Sequence, residues 1–149
     1  LGITTPSRLQ TIHQCVTVTG NVSSQIGGGT SHDKDGDGDL HFTLQLDPQF
    51  KGYSNQYDPK GCLHKGQTCY TVIVEIICHV TPAGKYKFTW GDYCKDVDSS
   101  RVPLAGTMPP QGERLSVSGR LVTDKSTPGQ PSHDPWNEIH PAIDVHKIP

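Results

Sequence analysis

The chain has 149 residues, 32% of them apolar, and a formal charge of −2. That length suits one domain with a core of its own. The near balance of 13 basic and 15 acidic residues, with no long basic run, disfavours a nucleic-acid backbone as partner, and no stretch approaches the ~18 apolar residues of a membrane span.

Gly 16 and Pro 12 make up nearly a fifth of the chain, a composition of short strands, turns and long surface loops. No stretch repeats its apolar residues at helical spacing, so the class is all-β. Residues 1–10 are polar and contain a proline; they read as an N-terminal arm, with the barrel domain spanning 11–149. The opening at Leu1 carries no secretory signal, so the expectation is that any targeting peptide was removed or lies beyond the sequence.

The first strand is predicted over Cys15–Val22, β-branched and alternating, with Val16, Val18 and Val22 on one face and Gly20 marking a bulge or coil. An acidic loop follows, Asp33-Lys34-Asp35-Gly36-Asp37-Gly38-Asp39. The second strand, Leu40–Asp47, alternates strictly. Leu40, Phe42, Leu44 and Leu46 face in; His41, Thr43, Gln45 and Asp47 face out. A long insertion leads to Cys62 and Cys69. The third strand, Tyr70–Val80, is the most apolar segment and should be central, which makes Glu75 its odd member. A second long insertion covers 81–111. The fourth strand spans Gly112–Asp124, with Leu115, Val117 and Leu121 inward. The fifth grows out of Ser132–Pro141, with Ile139, Ile143 and Val145 as its core set.

Five strands, Val16-x-Val18-x-Gly20-x-Val22, a long insertion after strand three and Gly112-x-x-Leu115-x-Val117-x-Gly119-x-Leu121 together resemble an OB-fold over most of residues 12–148. The resemblance implies a five-stranded OB-like Greek-key barrel with long insertions after strands two and three. Its strand 2–3 face often binds oligonucleotides or oligosaccharides. More narrowly, Gly38-Asp39-Leu40-His41, Val74-Glu75-Ile76 and Glu138-Ile139-His140-Pro141 are similar to uncharacterised small bacterial proteins with an Asp-x-His strand and a terminal Glu-x-His-Pro. That similarity implies no activity.

In OB order strand two pairs with three, and three with five. Outward His41, Glu75, Glu138 and His140, with His133 nearby, would then converge. Imidazole and carboxylate at i and i+2 suit a borderline ion such as Zn²⁺. Two readings stay open: a metal site, or a polar seam in which His and Glu stitch the strands. Asp33, Asp35, Asp37 and Asp39 are hard oxygen ligands of the kind Ca²⁺ takes. Their spacing copies the start of an EF-hand loop, but Leu44 stands where its bidentate Glu belongs, so the loop is either a non-helical Ca²⁺ site or a solvated turn.

The five cysteines suggest an oxidising compartment. Cys62 with Cys69, and Cys78 with Cys94, would leave Cys15 over; leaving one free and pairing four gives 5 × 3 = 15 arrangements. Asn21-Val22-Ser23 is a glycosylation sequon. The expected protein is a secreted or cell-surface, metal-carrying (Zn or Ca) module for extracellular binding or assembly. Self-association would run through the arm, the long loops or Cys15. The alternatives are a metal-dependent hydrolase of phosphodiesterase or nuclease type, and a carbohydrate- or oligonucleotide-binding module. No reaction is assigned by the sequence.

Overall fold

A computed structural model describes residues 9–25, 40–54, 62–76, 109–125 and 135–149. Five strands account for most of them: β1 (Leu9–Gln25), β2 (Leu40–Leu46), β3 (Thr71–Ile76), β4 (Arg114–Asp124) and β5 (Trp136–Lys147). They close a barrel in the order β1-β2-β3-β5-β4. Only β3 and β5 run parallel; every other neighbouring pair is antiparallel. The all-β five-stranded barrel expected from the sequence is therefore what forms, including the β2–β3 and β3–β5 pairings. Among the described residues no helix is long and apolar enough to cross a membrane.

The period of two sorts the side chains. Val16, Val18 and Val22 from β1, Phe42, Leu44 and Leu46 from β2, Val72, Val74 and Ile76 from β3, and Leu115, Val117 and Leu121 from β4 fill the interior. Each fully buried aliphatic or phenyl side chain contributes roughly 1.5–3 kcal/mol, so a barrel of this size is held mainly by its inward set. A 3-10 turn, Pro48–Tyr53, follows β2 and packs Phe50 and Tyr53 against that core. Tyr53 thus belongs to the packing. The other aromatics of the insertions (Tyr57, Tyr86, Phe88, Trp90 and Tyr93) lie outside the described residues.

β1 is longer than its alternation indicated, beginning at Leu9 and so taking in two residues of the expected arm. Its first part pairs with β4 and its last part with β2; Gly20 pairs on both sides, with Leu115 and Leu46. A Cβ at Gly20 would overlap the Gln45 carbonyl, so the strand can coil between its two partners only if this position has no side chain.

β5 departs from the expected pattern. Leu121 pairs with Ile139 and Gly119 with Ala142, so Arg120 faces two residues, His140 and Pro141; Ser118 then pairs with Asp144, leaving Ile143 without a counterpart. These two bulges reverse the inward parity and then restore it. Ile139, Ala142 and Val145 are buried in the core, while Ile143 is 41% exposed. The assignment of Ile143 to the core is corrected accordingly. Gly119 accommodates the first bulge, because a Cβ there would meet the Pro141 carbonyl. The His140–Pro141 peptide is cis.

Candidate metal centre on strands β2, β3 and β5

The parallel β3–β5 ladder consists of two register pairs, Ile73 with Glu138 and Val74 with Ile139. Glu75 and His140 are the next residue on each strand, where the two chains leave their pairing. On the other side of β3, Glu75 sits directly opposite His41 of β2. Three strands therefore bring His41, Glu75, Glu138 and His140 together on the outward side of the wall, as their alternation with Phe42, Val74 and Ile139 requires.

Glu75 is the hub. His41 Nε2 donates to its Oε1 at 2.7 Å, and His140 Nδ1 donates to its Oε2. Glu138 shares the space: its Oε1 lies 3.5 Å from His140 Nδ1, and its Oε2 accepts a 2.9 Å bond from Trp136 Nε1. Although these groups point away from the core, they are sheltered, with Glu75 and Glu138 only 7% and 4% exposed. His41 is the most open member, its side chain 34% exposed.

The two carboxyls have opposite electrostatic fates. Burial pushes Glu75 up, but the hydrogen bonds from His140 and His41 overcome it and hold the group well below the usual carboxylate range. Burial also pushes Glu138 up, and the nearby negative charge of Glu75 adds to it. The Trp136 bond and the His140 charge oppose only weakly, so Glu138 is raised to about 7. Its Oε1 is buried and has no hydrogen-bond partner. A buried carboxylate oxygen without a donor costs on the order of 1–3 kcal/mol, which makes it the unsatisfied point of the site.

Glu75, Glu138 and His140 each offer a ligand atom, all within 4.8 Å of one another. Of the residues expected at this centre, the structure brings together His41, Glu75, Glu138 and His140; His133 lies outside the described residues. The expectation missed Trp136, whose indole N–H fixes Glu138. Its place two residues before Glu138 on one strand face was the available signal.

The remaining sequence candidates fall elsewhere. Asp33, Asp35, Asp37 and Asp39 lie outside the described residues, as do Cys78 and Cys94. Cys62 and Cys69 form a disulfide, and Cys15 is free and exposed on β1. Asn21 of the sequon donates from Nδ2 to the Gly112 carbonyl at 3.2 Å. Its Ser23 is buried and donates to the Thr43 carbonyl.

No protein-family model matches the chain, and no curated protein is significantly similar to it. The functional reading therefore rests on the site itself.

Proposed function

We propose that the protein is a metal-carrying β-barrel module that holds one divalent transition-metal ion on Glu75, Glu138 and His140. The observation that carries this reading is the buried Oε1 of Glu138, which has no hydrogen bond, in a residue whose ligand atom lies within 4.8 Å of those of Glu75 and His140. One nitrogen and two carboxylate oxygens make a donor set that a borderline ion such as Zn²⁺ accepts. A bound cation would give Glu138 Oε1 the positive partner it lacks and would offset the repulsion between the two carboxylates. His41 then orients Glu75 through its outer oxygen, as second partners of metal ligands do.

The Cys62–Cys69 disulfide supports an oxidising location, so we read the module as secreted or displayed at the cell surface, where it serves binding or subunit assembly. The strand order supports reading the barrel as an OB-fold. Elemental analysis of protein purified from its native source tests the proposal. The expected result is near-stoichiometric zinc, manganese, iron or copper, falling at least a hundredfold in affinity on His140→Ala. Calcium alone would move the weight to Asp33, Asp35, Asp37 and Asp39, and the absence of any ion would reduce the centre to a polar seam.

One observation favours a second reading, metal-dependent hydrolysis. Glu138 titrates near neutrality in the ion-free chain, the range of a general base. In that role Glu138 would take a proton from water rather than bind the ion. Cleavage of an activated phosphodiester by the zinc-loaded protein, lost in Glu138→Gln while the ion is retained, would select it.

A further inference from the structure

Each carboxylate of the centre has one oxygen engaged by a donor other than His140. Trp136 Nε1 donates to Glu138 Oε2 at 2.9 Å, and His41 Nε2 donates to Glu75 Oε1 at 2.7 Å. The oxygens turned toward His140 are the other two, Glu138 Oε1 and Glu75 Oε2. A carboxylate whose second oxygen is engaged by an N–H donor is a one-point ligand. The pair therefore offers an ion two oxygens, not four, and His140 Nδ1 makes a third ligand atom once the ion displaces the proton it donates to Glu75 Oε2.

The number and kind of donors decide between cations. Zn²⁺ is content with four ligands at about 2.0–2.2 Å and takes imidazole nitrogen readily. Ca²⁺ needs 6–8 oxygens at about 2.3–2.6 Å, commonly including a carboxylate bound through both of its oxygens. Three fixed donors, one of them nitrogen, meet the first demand with a position to spare and fall far short of the second.

We infer that Trp136 and His41 are the specificity-determining residues of the centre: each holds one oxygen of a ligand carboxylate and so selects a small, imidazole-accepting ion against calcium. The inference rests on the metal-site reading above and adds which residues set its preference. Neither residue needs to touch the ion. Both act through Glu138 and Glu75, and both are positioning residues.

The test uses the whole chain. Zn²⁺ and Ca²⁺ affinities are measured by competition with chromophoric chelators, and the visible spectrum of the Co²⁺ form reports coordination number. Trp136→Phe keeps the ring and removes the N–H. His41→Leu removes the other donor at a half-exposed position, where misfolding is less of a concern, and His41→Gln replaces it with an amide N–H. The wild type is expected to prefer Zn²⁺ over Ca²⁺ by several orders of magnitude. Trp136→Phe and His41→Leu should each weaken Zn²⁺ on the order of tenfold, narrow the Zn²⁺/Ca²⁺ ratio and lower the Co²⁺ absorption as coordination number rises. His41→Gln should restore the wild-type ratio. If the wild type binds Zn²⁺ but both variants keep its ratio and spectrum, the inference is overturned while the metal site stands. If the wild type binds neither ion, the metal site and this inference fall together.

Discussion

Two carboxylate clusters sit on the same barrel and are built in opposite ways. At one, Asp47 at the end of β2 receives a two-pronged bond from Arg114, Nη1 to Oδ1 at 2.8 Å and Nη2 to Oδ2 at 2.6 Å, and a further bond from Thr19. One negative charge meets one permanent positive charge, and both carboxylate oxygens have donors. At the other, Glu75 and Glu138 share two histidines and an indole N–H, and Glu138 Oε1 has no donor. The contrast separates a self-contained joint from a candidate site. The first satisfies itself and ties β1, β2 and β4 together; the second leaves a buried carboxylate oxygen without a donor, the place the proposed cation would fill.

The largest expected difference lies in pH dependence. The Arg114 hydrogen bond holds Asp47 below its ordinary value, and the two histidines hold Glu75 below its own. Both therefore stabilise the fold above the usual carboxylate range, and that contribution is lost as acid protonates them. Glu138 runs the other way. With its pKa raised from 4.5 to about 7, it costs nothing below the unfolded value, destabilises progressively as pH rises toward 7, and levels off above it. Glu138→Gln in the ion-free protein should remove about 3 kcal/mol of that cost at pH 8 and almost none at pH 4.5. Urea unfolding at the two pH values measures it; an equal effect at both would show that the carboxylate is not neutral at low pH. Saturating Zn²⁺ should flatten the wild-type profile in the same window.

A smaller effect is expected at the self-contained cluster. Arg114→Ala should cost about 1 kcal/mol, because the Arg114 side chain is 37% exposed and solvent screens the pair. Metal affinity should not change. Smaller still, Thr19→Val removes one donor while Arg114 keeps both oxygens of Asp47, and should cost about 0.5 kcal/mol in thermal unfolding. A loss above 2 kcal/mol in either variant would mean that the joint is as dependent on each partner as the site is, and the contrast would fail.

How much of this was legible depended on uninterrupted alternation. β2 and β3 pair without a break from Leu40–Ile76 to Gln45–Thr71, so period two placed His41 and Glu75 on one face and their register made them neighbours. Glu138 and His140 followed from Ile139 alone. Ile143 failed because a bulge is a property of two strands meeting, written in neither sequence by itself. The Asp47–Arg114 pair spans 67 positions; alternation turned Asp47 outward but carried no information about which distant strand end would face it. Trp136 was visible as a residue and not as a partner, since its role depends on which oxygen of Glu138 it reaches.

The double bulge of β5 stores two residues outside the ladder, each absorbed where it occurs. His140 and Pro141 crowd opposite one residue, Ile143 has no counterpart, and between them the inward set moves to Ala142 before returning at Val145. Loss of either extra residue would erase its bulge and leave the downstream pairs in place, Asp144 opposite Ser118 and Val145 opposite Val117. The candidate centre borders the first of these bulges, with His140 one of the two residues opposite Arg120. The closing end of the barrel can therefore shed a single residue at either point, Pro141 or Ile143, and keep Val145 inward, whereas Glu138 holds the frame set by Ile139.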